Sequence, residues 1–299
     1  MVMNTTENTH IPVLVGEVLE ALSGVREGLV ADVTVGLGGH AEAVLDAHPG
    51  VTVLGLDRDP AALERASRRL ARFGDRVELR QATFSTLWEA LGGRRAAGLV
   101  ADLGVSSLQL DDPSRGMSFR APGPLDMRMG PDAPESAEEL LRSLSTDALA
   151  DVLYQYGEER ASRPIARAIK KALDEGRLTT TRQLAECVYR VLGPPRFGRL
   201  DPATRTFQAL RIAVNRELDE LEALVRGLPE VLEDHGVAAV ISFHSLEDRI
   251  VKHGLRALPS LEVRTRKPRS PTEEEARGNP RARSAKLRVA HRRPRGGGE

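Results

Sequence analysis

Three aspartates stand where this chain could do chemistry. Asp32 lies inside an apolar run at 29–35, Asp57 closes a second run at 51–56, and Asp102 sits near the end of a third at 97–103. Gly36, Gly38 and Gly39 follow the first run and lead into the helix-spaced apolar residues Ala41, Val44 and Leu45. A strand, a glycine turn, a helix and a second strand ending in an acid form a nucleotide-binding layout. The glycines let backbone pack close to a ligand, and the acid accepts hydrogen bonds from ribose hydroxyls. Two ligand classes fit. Gly36-x-Gly38-x-x-Ala41, with Asp57 about twenty residues on, satisfies the dinucleotide fingerprint. Asp32 argues the other way, because a carboxylate four residues before the first glycine repels a pyrophosphate. Three carboxylates at the carboxyl ends of strands favour a cationic ligand, such as the sulfonium and ammonium of S-adenosylmethionine.

Positioning those acids requires a particular set of elements. The pattern predicts a helix at 11–22, then strands at 29–35, 51–57, 76–82 and 97–103 with helices between them. One helix has Asp59 as N-cap, Pro60 at its first position and Leu63, Ala66 and Leu70 on its apolar face; a shorter one surrounds Leu87 and Leu91. This alternation predicts a parallel doubly wound sheet with all three acids along one edge. Residues 111–134, rich in Pro, Gly, Asp, Arg and Met, read as a long ordered loop. Helical patterns follow at 136–144, 146–155, 162–174, 181–192 and 203–232, with no strand pattern in about a hundred residues. The sheet resumes at 237–243, which leads into Ser242, Phe243, His244 and Ser245, followed by a helix at 246–258. Two β-like runs at 261–265 and 285–290 suit a closing antiparallel hairpin, a feature that resembles the methyltransferase variant of the fold. The expected division is an α/β domain made of 1–111 and 213–299, interrupted by a helical insertion at 112–212.

Composition narrows the function classes. With 299 residues, 40% apolar and 29% charged, the chain is an ordinary globular protein of one or two domains. Net charge is zero, but from residue 250 onward 14 Lys/Arg face 5 Asp/Glu, which suits either a polyanion-binding face or a solvated tail. The lone cysteine, Cys187, has no intramolecular disulfide partner, and the seven histidines show no zinc-type pairing, so no metal is expected. The polar N-terminus lacks a signal core, and the longest apolar run, 237–241, is far too short to span a bilayer. A cytoplasmic protein is expected.

Several long stretches, in order along nearly the whole chain, resemble the bacterial 16S ribosomal RNA cytosine-N4 methyltransferases of the RsmH (MraW) family. They are HIPVL at 10–14, GLGGH at 36–40, GLDRDP at 55–60, ADLGVSSLQ at 101–109, DDPSRGMSF at 111–119 and GPLDMRM at 123–129. TFQALR at 206–211, VNREL at 214–218, ISFHSLEDR at 241–249 and RARSAKLR at 281–288 complete the set. The resemblance implies a Rossmann-like class I S-adenosylmethionine-dependent methyltransferase sheet with an inserted all-helical, substrate-recognising subdomain. It implies cofactor contacts at Gly38, Gly39, His40, Asp57, Phe84, Asp102 and Gln109. It also implies a cytidine substrate in the decoding region of 16S rRNA within the small ribosomal subunit, and it leaves a homodimer open. Phe84 suits an adenine face but equally a core position; His40 rests on the resemblance, since a surface histidine at a helix start would look the same.

The implied reaction is in-line transfer of the sulfonium methyl to the exocyclic N4 of cytosine. Many amino-methyltransferases hold the amine with an Asn/Asp/Ser-Pro-Pro-aromatic tetrad after strand four. Here 102–105 reads DLGV, so the roles of that tetrad do not transfer. Asp102, Ser106 and His244 are the candidates at the same sheet edge. A neutral His244 could accept the amine proton, or could simply cap the strand-five turn. Cations for RNA are available at Arg115, Arg120 and Arg128, at Arg196, Arg199, Arg205 and Arg211, and at Arg281, Arg283, Lys286 and Arg288. Aromatics are only 3%, which speaks against a generic stacking platform. The alternatives are a methyltransferase for DNA cytosine or protein, and a non-enzymatic S-adenosylmethionine-binding scaffold.

Overall fold

A computed structural model describes residues 12–295, with side chains except those of Ser107 and Leu108. His10 and Ile11, which open the first matching stretch and the expected helix at 11–22, lie outside the described residues. By its internal contacts the chain divides into two units, Met1–Gly104 with Leu218–Glu299, and Val105–Glu217. The boundaries thus fall earlier and later than 111/112 and 212/213. The short helix at 107–111 joins the second unit, and the helix ending at Asn215 runs three residues past the expected boundary before Arg216, at φ 51°, breaks it.

In the first unit, seven strands form one sheet: β1 Glu27–Asp32, β2 Gly50–Asp57, β3 Val77–Gln81, β4 Ala96–Asp102, β5 Leu232–Ser242, β6 Leu261–Val263 and β7 Lys286–Arg292. Their order is β3-β2-β1-β4-β5-β7-β6. β1 to β5 run parallel, while β7 is antiparallel to both β5 and β6. The expected C-terminal hairpin therefore forms, but its second strand slots inside the sheet and its first becomes the edge. Alternation along each strand supplies both faces. Leu29, Ala31, Leu99 and Ala101 pack on one side and Val30, Val53 and Val100 on the other.

Helices α1 Val15–Ala21, α2 Gly39–Ala47, α3 Pro60–Leu70 and α4 Leu87–Leu91 precede the second unit. α1 starts later than expected because Leu14 is left-handed (φ 56°), a conformation no helix interior accepts. Asp59 caps α3 as expected, its carboxylate accepting the Ala61 N–H at 3.0 Å ahead of Pro60.

The second unit holds α5 Ser107–Asp111, α6 Ala137–Ser143, α7 Thr146–Gly157, α8 Ser162–Asp174, α9 Thr181–Leu192 and α10 Thr204–Asn215 around their own apolar core. Residues 111–134 are ordered against it: Leu125 and Met127 are buried, and Asn215 accepts the Met129 N–H and donates to Met127 O, each at 2.7 Å. α11 Glu217–Val231, α12 Ser245–Ala257 and α13 Glu273–Gly278 complete the chain, α11 and α12 covering the face opposite α1 to α3. No helix among the described residues is long and apolar enough to cross a membrane.

Candidate cofactor and methyl-transfer site

β1, β2 and β4 end at Asp32, Asp57 and Asp102, so parallel pairing brings these acids to one edge of the sheet. Each is tied to backbone. Asp57 accepts the Gly36 N–H on Oδ2 and the Asp59 N–H on Oδ1, both at 2.9 Å. Asp32 Oδ1 accepts the Thr34 N–H at 3.2 Å, and Asp102 Oδ1 accepts the Gly104 N–H at 3.2 Å. Thr34, which the sequence reading passed over, links two of these turns: its Oγ1 accepts the Asp102 N–H at 2.6 Å. A threonine two residues past an acid is a common turn signal, but only the β1–β4 pairing shows what it reaches.

The electrostatics are those of a cation site. Asp32 is 2% exposed and its Oδ2 has no hydrogen-bond partner among the described residues, an unusual state for a buried carboxylate oxygen. Burial pushes Asp32 up to about 6, offset in part by His40 and the Thr34 hydrogen bond and reinforced by the negative charges of Asp102 and Asp57. Asp57 is likewise pushed up to about 6, again chiefly by burial. S-adenosylmethionine fits this edge. Its ammonium and sulfonium would neutralise crowded carboxylates, and Asp57 keeps free lone pairs for ribose hydroxyls.

The other expected contacts divide. His40 is no surface histidine. It is 6% exposed, its Nε2 donates to Val13 O at 2.8 Å, and its Nδ1 lies 3.9 Å from Asp102 Oδ2. A carbonyl can only accept, so Nε2 carries the proton and Nδ1 faces the acid. Gly38 and Gly39 have packing reasons of their own. A Cβ on Gly39 would sit 2.9 Å from Pro12 Cγ, and one on Gly38 (φ 80°) would sit 3.2 Å from Leu70 Cγ. Phe84 opens the short 3₁₀ turn Phe84–Thr86 after β3; it is half-buried and lines a crevice of about 330 Å³ with Trp88 and Leu224. Gln109, on α5, belongs to the second unit. It is buried, with its Oε1 accepting the Ser106 N–H at 3.2 Å and its own N–H donating to Ser106 Oγ at 3.3 Å.

His244 caps α12. Its Nδ1 accepts the Glu247 N–H at 3.4 Å, while Glu247 Oε2 accepts the Phe243 and His244 N–H groups at 2.7 and 3.2 Å. Nε2 lies 3.0 Å from Glu247 Oε1, but too far off axis for a proper hydrogen bond. Glu247 was not singled out from the sequence, although its position three residues after the cap is the capping-box signature.

Several arginines that could serve RNA are already engaged. Arg115 donates to the Arg128 and Met129 carbonyls, Arg128 pairs with Asp126, Arg211 with Glu217 at 2.8 and 2.9 Å, and Arg288 with Asp248 at 2.7 Å. Arg120, Arg196 and Arg199 are exposed and have no ionic partner among the described residues.

The family model described as the MraW methylase family matches residues 7–293. Relatives called Ribosomal RNA small subunit methyltransferase H match almost end to end. The one from Sorangium cellulosum is 57% identical across 95% of this chain and 90% of its own length. That from Synechococcus sp. strain RCC307 is 52% identical across 95% of both. Among solved structures, an rRNA methylase from Streptococcus thermophilus covers 92% of this chain and 93% of its own, with 11% identity and a TM-score of 0.43.

Proposed function

This chain belongs to the MraW methylase family, and from that premise we propose that it methylates the exocyclic N4 of a cytidine in the decoding region of 16S rRNA, in the small ribosomal subunit and in the cytoplasm. The observation that carries the chemistry is the carboxylate trio at one sheet edge, with a buried Asp32 oxygen that has no hydrogen-bond partner among the described residues. The relatives' names and their near-complete coverage of the chain support small-subunit ribosomal RNA as the substrate class, while the N4 position and the decoding-region cytidine rest on the motif resemblance.

When bound, S-adenosylmethionine supplies an electrophilic methyl on a positively charged sulfur. Asp57 would hold the ribose hydroxyls, Asp32 would face the ammonium, and Phe84 would lie along the adenine. Gly38, Gly39 and His40 shape the turn beside the methionine moiety, to which Asp102 is also assigned. As the N4–C bond forms and the C–S bond breaks, one N4 proton has to leave. Asp102 is the group we assign to accept the amine hydrogen bond, because its Oδ2 makes no hydrogen bond among the described residues. His244 is less suited, since both ring nitrogens face Glu247; it acts as the cap that sets the β5–α12 turn. Orientation of the delocalised N4 lone pair is where most of the rate gain arises, roughly 7–11 kcal/mol from positioning. The cytidine must be unstacked or single-stranded to reach such an edge.

The test is mass mapping of 16S rRNA from cells with and without this gene. Loss of one N4-methylcytosine mark in the deletion is the expected result. An unchanged N4-methylcytosine content would overturn the assignment.

A further inference from the structure

The second unit carries an aromatic tip that neither its core nor the methyl-transfer chemistry uses. Phe197 is 107% exposed, whereas the other five phenylalanines are buried or half-buried. It lies in the connection between α9 and α10, and that connection is constructed rather than loose. Gly193 (φ 84°) ends α9, and Pro194 and Pro195 stiffen the outgoing leg. The Arg199 N–H donates to Arg196 O at 3.1 Å with Gly198 at φ 73°, so Phe197 and Gly198 are the central pair of a tight turn that needs a positive φ at its third position. The returning leg is pinned by Asp201, whose carboxylate accepts the Tyr189 hydroxyl at 3.1 and 3.0 Å and the Ala203 N–H at 2.8 Å. Burial and the Asp201 charge push the Tyr189 hydroxyl up to about 12, so it keeps the proton it donates. The turn presents its phenyl ring outward, with Arg196 and Arg199 exposed on either side and no carboxylate paired to either among the described residues.

An exposed ring adds nothing to the fold, and two unpaired guanidiniums beside it complement phosphates rather than an apolar protein pocket. We propose that Phe197 stacks on an unpaired base of the RNA substrate while Arg196 and Arg199 bind its flanking phosphates. This inference rests on the rRNA reading above. It also refines the expectation from composition: a chain with 3% aromatics builds no stacking platform, but one ring on a fixed turn is enough for one base.

The test compares Phe197→Ala, Phe197→Leu and Phe197→Trp, with small ribosomal subunits carrying unmethylated 16S rRNA as substrate. Removing one base–aromatic stack should raise KM for the subunit about tenfold. Ala and Leu should both show this, with kcat and S-adenosylmethionine affinity unchanged, and Trp should restore the wild-type KM. Arg196→Ala and Arg199→Ala should each lower the slope of log affinity against log salt by about one, which Phe197→Ala should leave alone. Wild-type KM in the Ala variant overturns the proposal. Full retention by Leu also overturns it, because an aliphatic side chain satisfies a protein pocket or a second copy of this chain but cannot stack. Absence of transfer by the wild-type protein would sink the functional reading instead. In that case the fluorescence of Phe197→Trp on adding unmethylated 16S rRNA still decides the tip, with quenching expected and an unchanged spectrum against it.

Discussion

Asp32 and Asp57 cost the ligand-free fold stability, and the sign of that cost is testable. Their folded values of about 6 lie above the ordinary 3.8, so between about pH 4 and pH 6 the folded state binds more protons than the unfolded one. Stability must then fall as pH rises through that window. The melting temperature of the ligand-free protein should therefore be higher near pH 5 than near pH 7, and Asp32→Asn should flatten the difference. An equally steep profile in that variant would show that Asp32 is not the group responsible. The carboxylates held low by arginines, such as Asp248 and Asp126, act below this range, where their stabilisation is lost as they protonate. The same two acids should make cofactor binding pH-dependent. A cation favours their ionised forms, so S-adenosylmethionine affinity should rise through about pH 6 with release of protons. Calorimetry in buffers of different ionisation enthalpy reads that release directly; a buffer-independent heat near pH 6 would count against it.

At the scale of elements, the β5–α12 turn and the α12–β7 contact decide whether the sheet edge holds its shape. His244→Ala should remove a cap worth about 1 kcal/mol, and so lower the melting temperature by a few degrees. Single-turnover methyl transfer should persist. Loss of transfer with an unchanged melting temperature would restore His244 as the proton acceptor. Asp248 pairs with Arg288, which is 4% exposed within β7. Asp248→Ala leaves that guanidinium buried without its carboxylate and should cost about 3–5 kcal/mol. Chemical denaturation measures this, and a change under about 1 kcal/mol would mean that the Arg288 charge reaches solvent. Caps of this kind are legible in sequence because their partners lie two or three residues apart, as with Asp59 and Ala61 or His244 and Glu247. The partners of Arg288 and of Gly39 lie 40 and 27 residues away along the chain and are not.

For the whole molecule, a formal charge of zero hides an uneven distribution. Arg120, Arg163, Arg167, Lys171, Arg196 and Arg199 of the second unit are exposed without ionic partners among the described residues. Binding an RNA through such groups releases counterions, so methyl transfer at sub-saturating substrate should fall steeply between roughly 50 and 200 mM salt. A flat response would argue against an RNA substrate. A change in periodicity after residue 111 is the signal that the sequence offers for dividing the chain. Residues 105–111, which the contacts group with the second unit, carry no pattern that distinguishes a strand's trailing turn from the first helix of the next unit.

By itself the sequence determined the strand–helix alternation, the acids at strand ends and the helical insertion, because periodicity, capping and turn chemistry act over a few residues. Only the tertiary structure decided which acid lacks a partner, and that Thr34 bridges two strand tips. The same holds for the burial of His40, the capping role of His244 and the exposure of Phe197. Those facts depend on which strands lie side by side and which faces are covered. Burial of apolar surface across the whole chain sets both, and no local spacing encodes them.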